Sequence, residues 1–128
     1  MSKQIKPTEG ELEILNILWE KGSGTVREVF DVLTQSKESG YTTTLKLMQI
    51  MHEKGLLDRD DSSRSHIYTA AVNREQTQGQ IVKRMIDTVF NGSPMNLVMQ
   101  ALGNHKASAD ELDQIKSYLA AMEKKNKK

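Results

Sequence analysis

Tyr41-Thr42-Thr43-Thr44-Leu45-Lys46-Leu47-Met48-Gln49-Ile50-Met51-His52-Glu53-Lys54-Gly55-Leu56-Leu57 reads as a helix that stops at a glycine and runs straight into a strand. The expected helix spans Thr42 to Lys54, with Gly55 where a helix C-terminus accepts a left-handed residue. Thr44, Leu47, Met48 and Met51 form its inward set at helical spacing. The first turn is threonine, and the flank carries Lys46 and Gln49. One of Thr42 and Thr43 is expected to cap the helix as well as face outward. The strand Leu56 to Arg59 follows, then a turn over Asp60-Asp61-Ser62-Ser63-Arg64, then a second strand from Ser65 to Ala71, with Ile67 its expected buried member. A helix followed by a hairpin is the second half of a winged helix-turn-helix, whose polar first turn meets base edges in a major groove. The implied partner is double-stranded DNA.

Upstream, two capping boxes mark helix starts: Thr8 with Glu11, and Thr25 with Glu28. In each, the hydroxyl accepts from a backbone N–H while the glutamate reaches back. The first helix is expected from Glu9 to Glu20. Leu12, Leu15, Leu18 and Trp19 recur at helical spacing, Ile14 and Ile17 widen the stripe, and Gly22 and Gly24 end it. Trp19 reads as a core anchor. The second helix, Val26 to Gln35, places Val26, Val29, Phe30 and Leu33 on one face, and Ser36 to Gly40 is a loop.

Downstream, Asn73 is expected to cap a long helix to Phe90, stopped by Asn91-Gly92. Ser93-Pro94 starts a short helix that Gly103 ends. A third capping box, Ser108 with Glu111, opens the last helix, and the tail from Lys124 to Lys128 is expected to fray. The apolar positions here are Ile81, Met85 and Val89, then Leu97, Val98 and Leu102, then Leu112, Ile115, Leu119 and Met122. The last four are spaced like a coiled-coil seam. So short a segment buries little surface alone, so a second copy of the chain is the expected cover. Two-fold dimers dominate soluble oligomers, and a dimer presents two reading heads to two half-sites. The fold class is therefore mainly α with a small β wing. A winged-helix DNA-binding domain over residues 1–72 precedes a helical dimerisation domain over residues 73–128.

Composition narrows the function further. No stretch approaches the ~20 apolar residues of a membrane span, and Met1 to Pro7 lacks the apolar core of a signal peptide. The expected location is the cytoplasm, with no membrane insertion. There is no cysteine, and His52, His66 and His105 are too scattered for a metal site. No Gly-rich phosphate loop or nucleophile elbow is present, so neither enzyme nor cofactor is expected. The net charge is +1, and residues 1–72 carry nine Lys/Arg against eleven Asp/Glu. That balance argues for a rival reading, a winged helix used for protein contact. Against it stands the polar first turn with Lys46, where a protein-binding face would expose aromatics. His52 lies near a helix end, where a cation is favoured.

The runs Thr8-Glu9-Gly10-Glu11-Leu12-Glu13-Ile14-Leu15 with Leu18-Trp19, Tyr41-Thr42-Thr43-Thr44-Leu45, and Glu53-Lys54-Gly55-Leu56-Leu57 resemble the penicillinase repressor family. Leu97 to Leu102 and Ser108 to Leu112 match its C-terminal part. The resemblance implies a homodimeric winged-helix repressor on an operator, often paired with a membrane-bound metalloprotease sensor that releases it by cleavage. It maps the reading positions to Thr42, Thr43, Lys46 and Gln49, with wing positions at Arg59, Arg64 and His66, and Tyr41 at the head of the same helix is a further candidate contact. Thr25 joins them as the start of the second helix, at a place where helix N-termini meet phosphate. Two departures stand out. The copper-responsive branch carries a C-terminal cysteine cluster that this chain lacks, so copper sensing is not expected. The β-lactam-responsive branch is cut at an Asn-Phe bond, where this chain has Gln100-Ala101.

Overall fold

The computed structural model describes residues 6–126; Met1 to Ile5 and the last two lysines lie outside the described residues. The elements follow in the order α1 (Glu9–Lys21), α2 (Val26–Leu33), α3 (Tyr41–Glu53), β1 (Leu57–Asp60), β2 (Ile67–Ala70), α4 (Arg74–Thr88), α5 (Pro94–Asn104) and α6 (Ala109–Asn126). The chain divides into two compact units, one ending at Gly79 and one beginning at Gln80. This division falls within α4, later than the expected boundary after residue 72.

In the first unit, α1, α2 and α3 pack around Ile14, Leu15, Leu18, Val26, Val29, Leu33, Met48 and Met51, closed from below by Leu56, Leu57 and Tyr68. The capping boxes close as the sequence requires. Thr8 Oγ1 accepts from Glu11 N at 3.2 Å and Thr25 Oγ1 from Glu28 N at 3.1 Å. Each glutamate accepts in return from the cap residue's N–H. Gly22, at φ +92°, ends α1 where a side chain would be strained. Trp19 packs against the core and donates from Nε1 to the Val72 carbonyl at 3.0 Å. Arg74 lies over its ring and also reaches Glu20.

Several expectations need correction. The hairpin alternation is one residue out of phase: Tyr68 is buried and Ile67 is only partly so. Adjacent apolar residues fit either phase, and a one-residue slip exchanges the two faces. The partner strand decides. Leu57 pairs with Ala70 and Arg59 with Tyr68, so buried Leu57 brings Arg59, Tyr68 and Ala70 to the inner face. Gly24 does more than end α1. It bridges β2 through Gly24 N to Tyr68 O at 2.9 Å and Tyr68 N to Gly24 O at 2.8 Å, adding a third edge to the wing. Neither Thr42 nor Thr43 caps α3. The N-cap is Gly40, with no side-chain cap bond, because the helix begins a residue earlier than its threonines suggest. Helix α2 ends at Leu33, not Gln35, with Gln35 and Ser36 in turn hydrogen bonds.

In the second unit, Ser93 caps α5 with proline at the first position, and the Ser108 box closes on Glu111. Asn91 at φ +52° and Gly92 at φ +83° turn the chain after α4. Gly103 does not end α5, which continues through Asn104, and α6 stays helical to Asn126 rather than fraying from Lys124. Among the described residues from Gln80 onward, no side chain is buried in the single chain.

Candidate nucleic-acid interface

The first turn of α3 offers free groups. The N-terminal N–H groups of a helix have no partner within it, and here no side chain takes them. Thr44, turned inward, spends its hydroxyl on the Gly40 carbonyl at 3.1 Å. Thr42, Thr43, Lys46 and Gln49 stay exposed. Thr42, Thr43 and Lys46 share a groove with Leu47 and Ile50, whereas Tyr41 and Gln49 border the adjacent side of the helix.

On that side lies a cleft of about 280 Å³. Thr25 and Arg27 from α2, Tyr41 and Gln49 from α3, and Arg64 and His66 from the wing all line it. Three segments far apart in sequence thus converge on one concave surface. Thr25 Oγ1 accepts from Glu28 N, which leaves its hydroxyl proton available to a ligand in the cleft. Asp60 Oδ1 accepts from Ser62 N at 2.9 Å and pins the wing turn. Hydrogen bonds from the Ser62 hydroxyl and N–H hold the Asp60 carboxyl below the usual carboxylate range.

Arg59 sits differently from the other wing residues. Its inward register leaves the side chain 24% exposed. Nε makes an ionic contact with Asp61 Oδ1 at 2.7 Å, and the directed bond runs from Nη2 to Asp61 Oδ2 at 3.3 Å. Hydrogen bonding to Tyr68, then Asp61, raises its already high pKa. Arg59 is committed to the wing's own structure. His66 Nδ1 lies 3.5 Å from the same Asp61 and remains exposed.

Part of the charge is committed to pairs within the domain. Glu11 is 2% exposed and holds Lys54 at 2.8 Å, tying α1 to the end of α3, so the Lys54 charge is already paired. Glu13 pairs with Lys37, Glu20 with Arg74 and Asp61 with Arg59. Among the described residues, Lys46 and Arg64 take no part in an ion pair. Asp58 and Asp60 occupy the outer face of β1, opposite Arg59 in the alternation.

Arg27, which the sequence did not single out, lines the same cleft. It lies 5.5 Å from the Phe30 ring centroid and 6.0 Å from that of Tyr41. A basic residue two places after a capping threonine was the only local signal, and the stack on Tyr41 is a long-range contact.

In the second unit, Met85, Val89, Val98, Leu102, Leu112, Leu119 and Met122 are exposed, and Ile81, Leu97 and Ile115 are partly buried. Val82, Met95, Met99 and Tyr118, outside the sequence-derived set, are exposed too. No described helix is long and apolar enough to cross a membrane.

A sequence model of the penicillinase repressor family matches residues 7–121. The penicillinase repressor of Staphylococcus aureus is 21% identical over 124 residues, covering 97% of this chain and 98% of its own length. The methicillin resistance regulatory protein MecI of Staphylococcus aureus strain N315 is 22% identical, covering 92% of this chain and 96% of its own. The transcriptional regulator BlaI of Mycobacterium tuberculosis is 25% identical, covering 96% and 89%. With a winged helix whose α3 first turn is exposed and a match spanning nearly the whole chain, this protein belongs to the penicillinase repressor family, whose members are transcriptional regulators and not enzymes.

Proposed function

We propose that two copies of this chain bind a pseudo-palindromic operator and repress by occluding a promoter. The observation that carries the reading is the cleft in which α2, α3 and the wing present Thr25, Gln49, Arg64 and His66 together. Each α3 enters a major groove. Lys46 and Gln49 read base edges, Gln49 with the geometry that suits adenine. The free N–H groups of Tyr41 to Thr43 and the hydroxyls of Thr42 and Thr43 hold phosphate. Thr25 adds a hydroxyl, and Arg64 and His66 carry the wing against the flanking backbone. Arg59 braces the wing from within.

Dimerisation uses the apolar faces of α4, α5 and α6. Release follows loss of the dimer, because one head alone gains only one half-site. A membrane-bound metalloprotease sensor cutting within α5 would achieve that, at a bond other than the Asn-Phe replaced here by Gln100-Ala101. A DNA target places the protein in the cytoplasm.

The test is selection of genomic DNA fragments by purified protein at two salt concentrations. A recovered inverted repeat, with affinity falling as salt rises, is the expected result. No enriched sequence from folded, dimeric protein would overturn the reading in favour of a winged helix that contacts protein.

A further inference from the structure

We propose that Arg27 is a phosphate-contacting residue of the operator interface, held in place by stacking on Phe30 and Tyr41. The inference rests on the DNA-binding reading above and deepens it.

Helix α2 buries Val26, Val29 and Leu33 against the core. Arg27 and Phe30 are left on the side that faces α3. The Phe30 and Tyr41 rings meet edge to face, with centroids 5.6 Å apart and planes at 78°. This pair ties the start of α2 to the first turn of α3. The Arg27 guanidinium lies within cation–π range of both rings. A guanidinium already ordered by stacking loses less rotamer freedom when it binds an anion. Arg27 lines the same cleft as Gln49 and Arg64, so two cations border one concave surface.

Asp31 is the one carboxylate partner of Arg27 among the described residues, 3.4 Å away at Nε. Both side chains of that pair are more than half exposed, so the contact is weak. Five guanidinium N–H donors leave the terminal nitrogens available to a phosphodiester. An incoming phosphate therefore competes with a weak internal partner. Tyr41, expected from sequence to touch DNA itself, becomes in this view a positioning residue for Arg27.

The competition with Asp31 supplies a test that a merely structural role would not pass. Full-length parent, Arg27→Ala, Arg27→Lys and Asp31→Asn are titrated on the selected operator and on an unrelated duplex across a salt series. Arg27→Ala should weaken both duplexes by a similar factor, roughly tenfold, and flatten the salt slope by about 0.9, the value for one phosphate contact. Arg27→Lys should keep the slope while losing part of the affinity. Asp31→Asn should tighten binding. Arg27→Ala that melts like the parent and keeps its affinity and slope would overturn this inference alone. A parent that binds neither duplex would overturn the DNA-binding reading with it.

Discussion

Every buried apolar side chain among the described residues lies before Gly79, while the helices after Gln80 carry apolar side chains that the single chain leaves open to solvent. The two regions have similar raw material. Met48 and Met51 in α3 are fully buried, whereas Met95 and Met99 in α5 are 68% and 64% exposed. The difference lies in what each apolar stripe can meet. In the first unit three helices and a hairpin surround one core, and each stripe finds another. In the second unit the stripes have no such enclosure within the chain, and apolar surface on that scale marks an interaction site. One region is a finished domain that can hold a reading turn rigid. The other leaves its apolar faces without cover in the single chain, which is why the proposed dimer contact is placed there.

The sharpest way to break that contrast is at α6. Leu112→Asp together with Leu119→Asp should give monomers in sedimentation and abolish tight operator binding while the winged helix stays folded. A dimer that survives would remove α6 from the interface. Next in size is the core of the first unit. Leu15→Ala should cost about 2–5 kcal/mol of unfolding free energy. Chemical denaturation should show that loss at every protein concentration, whereas changes in α4 to α6 should be concentration-dependent. Lys46→Ala should weaken operator binding by about 1–3 kcal/mol with no change in the melt. A variant that binds as tightly as the parent would take Lys46 off the contact surface. The smallest effect is expected at Gly22. Its φ of +92° strains any side chain, so Gly22→Ala should cost about 1 kcal/mol of stability. It should leave the dimer untouched, since it lies wholly within the finished unit.

Much of the site was legible because its signals are local. The threonines, Lys46 and Gln49 sit on one short helix whose limits are set by Gly40 and Gly55. Arg64 and His66 follow at a turn that Asp60 and Ser62 define. Arg59 turns inward for a non-local reason. Its direction depends on which residues of β2 stand opposite, and the adjacent Ile67 and Tyr68 left that phase open until Leu57 and the Gly24 bridge settled it. The Lys54 pair is illegible for a similar reason: its partner, Glu11, lies 43 residues away.

The sequence by itself determined the order of helices, the three capping boxes, the presence of the hairpin and the exposed apolar stripes, because helix periodicity and capping chemistry act over three or four residues. Only the tertiary structure decided which cations are free. Lys54 and Arg59 are paired with Glu11 and Asp61, Lys46 and Arg64 take no part in an ion pair among the described residues, and Arg27 is stacked at the cleft. Charge pairing and stacking act across space between segments that approach only once the core has closed, so no local pattern carries them.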